Sequence, residues 1–276
     1  IMDLREKDIS IPADMVYPCF VKPAESITGY KREMKICSGE KSLWDHLFRL
    51  KTRFSNREVL IQEFLDIDYE IDMSGICFDQ EVIIPAIIKK TQVAQYERGV
   101  TLAGKVVPFE ELDEDTRSSL IRLMKSFRYN GMFDLELNVV EGKIYFNEVN
   151  LRSGGPNYSY FKSGVNLPAV TVKGLLGQQY DEEETKVESY GKNFIYEKVA
   201  WDDYAAGYIN KKQLKKMLAD ADIRLLESED DPVPTEMFNR QTAIESEEKR
   251  KKYQIGKKNK IVSTVKGKLS EVTGNV

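Results

Sequence analysis

Polar and apolar residues alternate on both sides of a Glu141-Gly142 pair, and the spacing predicts a hairpin over residues 133–155. In a strand successive side chains point to opposite faces. Asp134, Glu136 and Asn138 therefore share one face and Leu135, Leu137 and Val139 the other. The return segment places Glu148, Asn150 and Arg152 on one side, so the hairpin gathers carboxylates, amides and a guanidinium.

Shorter apolar runs predict strands at 17–22, 34–37 and 58–65, then a second hairpin of 69–79 and 81–88 turned at Asp79-Gln80. Helical spacing covers 39–54, and again 109–129, where Leu112, Leu120, Leu123, Met124 and Phe127 make one face. Residues 3–15 read as a helix end and connector. Residues 89–104 have little periodicity and are expected to form a mobile or substrate-covering loop. Downstream, Asn166-Leu167-Pro168 opens a helix that stops before Gly177, residues 190–201 read as a strand, and Asn210 with Gln213 starts a short capped helix.

At 276 residues, 41% of them hydrophobic, there is enough apolar material for a core in one large domain or two smaller ones. No apolar run reaches the roughly 20 residues that span a bilayer, and the first residues lack a signal-peptide layout, so the expectation is a cytoplasmic protein. A net charge of −4 gives no basic excess to drive nucleic-acid binding. Cys19, Cys37 and Cys77 are widely spaced in apolar contexts and read as buried free thiols. The only histidine, His46, lies within a helical stripe of Leu43, Leu47, Leu50 and Phe54 and is expected on a helix surface. Chemistry built on histidine is nearly excluded.

Charged residues along one face of a hairpin are ordinarily its wet side. Like charges opposite one another are destabilising without a cation between them, and two carboxylates with an amide oxygen are hard ligands suited to magnesium. The pattern leaves a wet sheet face and a metal or phosphate site both open. Lys22, at a strand end before a loop carrying Ser26, Thr28 and Gly29, reads as a solvated lysine or a phosphate cradle. Asp202 and Asp203 read as surface or helix-cap residues, and the basic run after residue 245 as a solvated, disordered tail.

The ordered set of a strand lysine before a Pro loop, the IQEFL strand, a glutamate shortly after, and the ELN…NEVNLR pair with GVNLP resembles the ATP-grasp superfamily. Among its members it is most similar to the carbamoyl-phosphate synthase large chain and other carboxylate–amine ligases. The resemblance covers about residues 3–177 and implies an α+β fold of two lobes with antiparallel sheets, holding a nucleotide between them. It implies a first lobe over 1–65, a second over 66–180, an appendage over 181–245 and the tail over 246–276. Lys22 resembles the lysine that meets the nucleotide phosphates, and Gln62, Glu63, Phe64 and Leu65 resemble the linker whose backbone binds adenine. Glu70 is similar in position to the ribose-binding carboxylate. Glu136, Glu148 and Asn150 match the magnesium set, and the twelve-residue step between the glutamates fits biotin carboxylase-like members. Arg152 resembles the arginine that steadies the acyl phosphate, and Lys105 a basic residue near the terminal phosphate.

The resemblance further implies ATP with Mg2+ or Mn2+ and small-molecule carboxylate and amine substrates. It admits a homodimer and involves neither nucleic acid nor a membrane span. Its reaction is an ADP-forming ligation through an acyl phosphate; a nucleotide-binding scaffold without catalysis is the alternative. Two departures stand out: the phosphate loop has one glycine, and the sequence begins too late for the preceding α/β domain of relatives, which implies a partial chain.

Overall fold

The structure, a computed structural model, describes residues 1–24, 33–53, 58–96 and 99–273, with side chains as far as residue 254. It divides into two compact units, Ile1–Ile67 and Asp68–Val276.

In the first unit, β1 (Met2–Asp3), β2 (Cys19–Pro23), β3 (Lys35–Cys37) and β4 (Glu58–Glu63) form an antiparallel sheet in the order β1-β4-β2-β3, with α1 (Glu40–Arg53) beside it. Leu43, Leu47 and Leu50 recur at helical spacing and bury against Cys19, Val21, Cys37 and Val59. The helix end expected in residues 3–15 is instead the edge strand β1 followed by turns, because Met2 and Asp3 pair with Val59 and Glu58. His46 is buried rather than on the helix surface: its Nε2 lies 2.9 Å from the Glu33 carbonyl oxygen and its Nδ1 2.6 Å from Arg49 Nη2. Burial, then the Arg49 charge, lowers its pKa. All three cysteines are buried free thiols. Ser26, Thr28 and Gly29, read as a phosphate cradle, lie outside the described residues.

In the second unit, β5 (Tyr69–Phe78), β6 (Glu81–Ile83), β7 (Ile87–Val93), β8 (Thr101–Val107), α2 (Glu114–Ser126), β9 (Gly131–Val140) and β10 (Lys143–Asn150) come first in sequence order. Then follow α3 (Asn157–Phe161), α4 (Leu167–Leu175), β11 (Asn193–Ile195), α5 (Glu197–Ala206), α6 (Lys211–Asp220), β12 (Ile223–Arg224) and α7 (Pro232–Thr273). The strands make one sheet in the order β10-β9-β5-β7-β8-β11-β12, antiparallel except for β11 with β12, and β6 pairs with β5. Both expected hairpin turns form, with positive φ at Asp79 and Gln80 and at Glu141 and Gly142.

The two faces of this sheet differ. Ile71, Met73, Leu135, Leu137 and Val139 bury against Leu120 and Met124 of α2. On the other face Ile76, Ile88 and Val106 bury under Tyr160, Val165, Leu167 and Val170 from α3, α4 and their connection. Further along that second face the inward residues become Glu70, Asp72, Ser74, Asp134 and Glu136. Tyr160 stands at the boundary, accepting from Ser74 N–H at 3.2 Å and donating to the Ala86 carbonyl at 3.0 Å.

Four expectations are corrected here. Residues 89–96 and 99–104 are not a covering loop but most of the β7–β8 hairpin, since Lys90, Gln92 and Val93 pair with Gly104, Ala103 and Thr101; residues 97–98 lie outside the described residues. The strand expected over 190–201 is only Asn193–Ile195, and then α5 begins, buried through Val199, Ala200 and Tyr204. Asp203 is buried on α5, accepting the N–H groups of Gln95 at 3.0 Å and Tyr96 at 2.7 Å, whereas Asp202 pairs with Lys198. The tail expected to be disordered is the long helix α7, a run rich in good helix formers. Glu247 meets Tyr204 Oη at 2.9 Å and Lys211 Nζ at 2.6 Å, and Arg250 donates to the Tyr204 carbonyl at 2.9 Å.

Phe133 is fully buried at the centre of the α2-facing core, its ring filling the space left by Gly75. Phe133→Ala is expected to cost about 3–5 kcal/mol of unfolding free energy, read as a lowered urea midpoint.

Candidate functional site

The hairpin of β9 and β10 builds the site, and its register is not a simple alternation. Tyr145 and Phe146 face Asn138 and Leu137, but the register then shifts and Glu148 faces Glu136, with Asn150 facing Asp134. The shift is a bulge at Asn147, and it re-aims β10 so that Glu148 joins the row of Glu136. Across β5 the same face continues, with Asp72 opposite Glu136, Ser74 opposite Asp134 and Glu70 opposite Asn138.

Lys90 enters this face from β7. Its ammonium lies 2.7 Å from Glu70 Oε2, 2.9 Å from Asp72 Oδ1 and 3.4 Å from Glu136 Oε2, and 1% of its side chain is exposed. Burial alone would lower the Lys90 pKa, but Asp72, Glu136 and Glu70 together hold it well above the ordinary value. Thr101 Oγ1 donates to Asp72 Oδ2 at 3.0 Å, whereas Asp72 Oδ1 meets Lys90 as an ion pair off the line of a hydrogen bond. Lys90 is absent from the expected site residues because a lysine in a polar stretch looks solvated; the preceding Ile87-Ile88 and following Val93 are the available strand signal.

The carboxylates outnumber the cations. Glu70, Asp72, Asp134, Glu136 and Glu148 share one sheet face with Lys90, which contacts Glu70, Asp72 and Glu136, and Arg152 acts on Asp134 from beyond β10. Burial first, opposed by Lys90 but reinforced by Asp72, Glu148 and Asp134, pushes the Glu136 pKa up to about 7. Burial and then Asp72 push Asp134 up to about 6, against the Ser74 hydrogen bond and the charges of Arg152 and Lys90. Asp134 is also closed in from above: a Cβ on Gly154 would fall 2.1 Å from its Oδ1, so the turn after Ser153 packs on the carboxyl only because residue 154 is glycine.

Glu136, Glu148 and Asn150 are brought together. Asn150 Nδ2 donates to Glu148 Oε1 at 3.1 Å, which leaves its amide oxygen as an acceptor. Among the described residues no three His, Cys, Asp or Glu side chains converge as a metal-binding group. Two carboxylates and an amide oxygen nevertheless suit magnesium, which keeps several waters and takes one or two carboxylates. Glu136 and Glu148 stand opposite one another with the Asn150 amide beside them, so the donor set fits a divalent cation. Arg152 is exposed and donates to the Ser153 carbonyl at 2.9 Å.

Lys105 does not join this group. Its cross-strand partner is Lys89, which pairs with Ile71 on the α2 side of the sheet, so Lys105 lies on the face opposite Glu136. In the first unit, Lys22 and Gln62 share the side of the sheet turned away from the buried Cys19, Val21 and Val59. Lys22 is half-buried, Gln62 and Glu63 are exposed, and Phe64 and Leu65 are half-buried. The Phe64 N–H is already committed to the Pro18 carbonyl at 2.9 Å.

No protein-family profile matches the sequence. Over 201 residues it is 26% identical to the C-terminal section of the carbamoyl phosphate synthase large chain from Methanocaldococcus jannaschii, covering 71% of this chain and 31% of that protein. The corresponding section from Aquifex aeolicus is 25% identical over 182 residues, covering 64% of this chain and 33% of that protein. The chain thus spans about a third of the length of these curated relatives. Among solved structures, the biotin carboxylase domain of Hydrogenobacter thermophilus 2-oxoglutarate carboxylase, in complex with MgADP, ADP and bicarbonate, aligns with a TM-score of 0.50 at 19% identity, covering 64% of this chain and 40% of that one. Staphylococcus aureus N5-carboxyaminoimidazole synthetase with ADP aligns at 0.50 with 14% identity, covering 64% and 45%. The chain has the α+β ATP-grasp fold of these structures, and its sequence is similar to the C-terminal section of carbamoyl phosphate synthase large chains. No helix among the described residues is long and apolar enough to cross a membrane.

Two expectations follow from the packing and charge. Gly154→Ala should displace Asp134 and cost about 1–3 kcal/mol, read by chemical denaturation. Asp134 and Glu136 have folded pKa values near 6 and 7, above those of free carboxylates, so the folded state binds more protons than the unfolded one in the interval between. Their contribution to stability is present at low pH and lost as pH rises through those folded values. The melting temperature should therefore rise on going from about pH 8 to about pH 5, and the rise should shrink in Glu136→Gln.

Proposed function

We propose that this chain is the nucleotide- and metal-binding part of an ATP-dependent ligase that activates a carboxylate as an acyl phosphate and joins it to an amine, in the manner of the carbamoyl-phosphate synthase large chain. The observation that carries this reading is the Glu136–Glu148 pair, set opposite by the bulge in β10 and flanked by Asn150, on an ATP-grasp fold.

In the second unit, Glu136, Glu148 and Asn150 would hold a divalent cation, Mg2+ or Mn2+. Bound there, the cation would supply charge neutralisation at the terminal phosphates of ATP. Arg152, exposed just past β10, would hold the acyl phosphate and orient the incoming amine. Glu70 has a second oxygen beyond the one Lys90 engages, and it is the candidate for the ribose hydroxyls. In the first unit, the Lys22 ammonium would meet the phosphates as a point charge. The strand end from Gln62 to Leu65 would meet adenine, through backbone groups other than the Phe64 N–H.

The step itself needs little acid–base chemistry. A substrate carboxylate oxygen attacks the γ-phosphorus of ATP and ADP leaves; the amine then attacks the acyl carbon and expels phosphate. The amine's proton passes to the released phosphate or solvent, which suits a protein whose one histidine is buried. The alternative is a nucleotide-binding scaffold without turnover. The buried ion pair of Lys90 with Glu136 favours it to the extent that part of the site's charge is already met from within.

ADP release with a panel of carboxylates and amines separates the two. A ligase should lose at least about 100-fold in ADP release with either Glu136→Gln or Glu148→Gln. Lys105→Ala, on the opposite face, should leave the rate unaltered. ADP release insensitive to both glutamate variants contradicts the ligase site; nucleotide binding without any ADP release favours the scaffold.

A further inference from the structure

The most unusual group in the second unit is not a candidate ligand at all. Lys90 is buried to 1% exposure, yet three carboxylate oxygens surround its ammonium: Glu70 and Asp72 from β5 and Glu136 from β9. Its ammonium is enclosed by these carboxylates rather than open to solvent. Glu136, with 21% of its side chain exposed, is the one of the three that also belongs to the Glu148–Asn150 row.

We propose that Lys90 is a positioning residue for Glu136: its buried ammonium holds Oε2 of that carboxylate and leaves Oε1 directed to the cation position shared with Glu148 and Asn150. The inference rests on the reading that this trio binds a divalent cation. Three features support it. The ammonium approaches Glu136 through Oε2 alone. Its other two contacts, Glu70 and Asp72, tie it to β5, and Asp72 is held in turn by Thr101 of β8, so the cage draws on four neighbouring strands, β9, β5, β7 and β8. A carboxylate with one oxygen fixed in this way has lost the rotational freedom it would otherwise lose on binding the cation.

A lysine that merely balanced charge would act with the opposite sign. It would repel an incoming cation, and its removal would tighten metal binding. The test therefore holds the local charge constant. Lys90→Met combined with Asp72→Asn removes one charge of each sign and leaves Glu136 without its fixed partner.

Mn2+ binding to the full-length protein, followed by calorimetry and by electron paramagnetic resonance with and without ADP, should weaken about 10-fold or more in the double variant, with a cooperative thermal melt retained. Unchanged or tighter binding in the folded double variant overturns the proposal. If that variant does not melt cooperatively, Lys90→Arg decides. It keeps the charge, but its planar fork cannot place one donor point at the centre of three carboxylates. Weaker Mn2+ binding supports positioning, and unaltered binding overturns it. Glu148→Gln is the control for the underlying site: Mn2+ bound equally by wild type and Glu148→Gln refutes the metal-site reading itself, whereas loss only in Glu148→Gln refutes the role of Lys90.

Discussion

Three carboxylates around one buried ammonium are the constraint on which the second unit depends. Glu70, Asp72 and Glu136 lie side by side on adjacent strands, and without Lys90 their mutual repulsion would act in a site that water scarcely enters. The sheet face accordingly divides in two. One half is apolar and covered by α3 and α4; the other is acidic, organised from within by a cation that never reaches solvent. Removing one partner of so buried a group leaves an uncompensated charge, so the cluster is fixed by what each member would cost alone.

The bulge in β10 then decides what the acidic half can do. A regular strand would place Asn147 opposite Glu136 and turn Glu148 to the other side. One extra residue brings a second carboxylate beside the first, where Lys90 no longer reaches, and the surplus negative charge is what a divalent cation would offset. Gly154 packs on Asp134 at the far end of the row and keeps it desolvated. Charge met from inside at one end and unmet at the other gives the site its direction.

Much of this is legible in the sequence, for reasons that are local. The β9–β10 and β5–β6 turns can be read because alternation and turn residues coincide, and the caps at Asn166 and Asn210 because their partners lie within three residues. The bulge is not legible, since regular pairing from the Glu141-Gly142 turn would set Asn147 opposite Glu136, and no local pattern marks the extra residue that brings Glu148 there. Lys90 is hidden because burial of a lysine depends on partners from other strands, which no local pattern records. Asp203 and His46 are hidden for the same reason: their hydrogen bonds run to Gln95, Tyr96 and Glu33. Lys105 enters the expected site by likeness of position, and the strand register sends it to the wrong face. The α5 and α7 helices illustrate the converse, where helix formers that read as strand or disorder gain their order from packing on one another.

The central claim is that the Glu136–Glu148 pair binds a divalent cation together with a nucleotide. Its most direct measurement is a calorimetric titration of ATP into this protein, performed once with magnesium and once with a chelator. Saturable binding should appear with magnesium and largely vanish in the chelator. Nucleotide binding of equal strength in both, or no nucleotide binding in either, would contradict it.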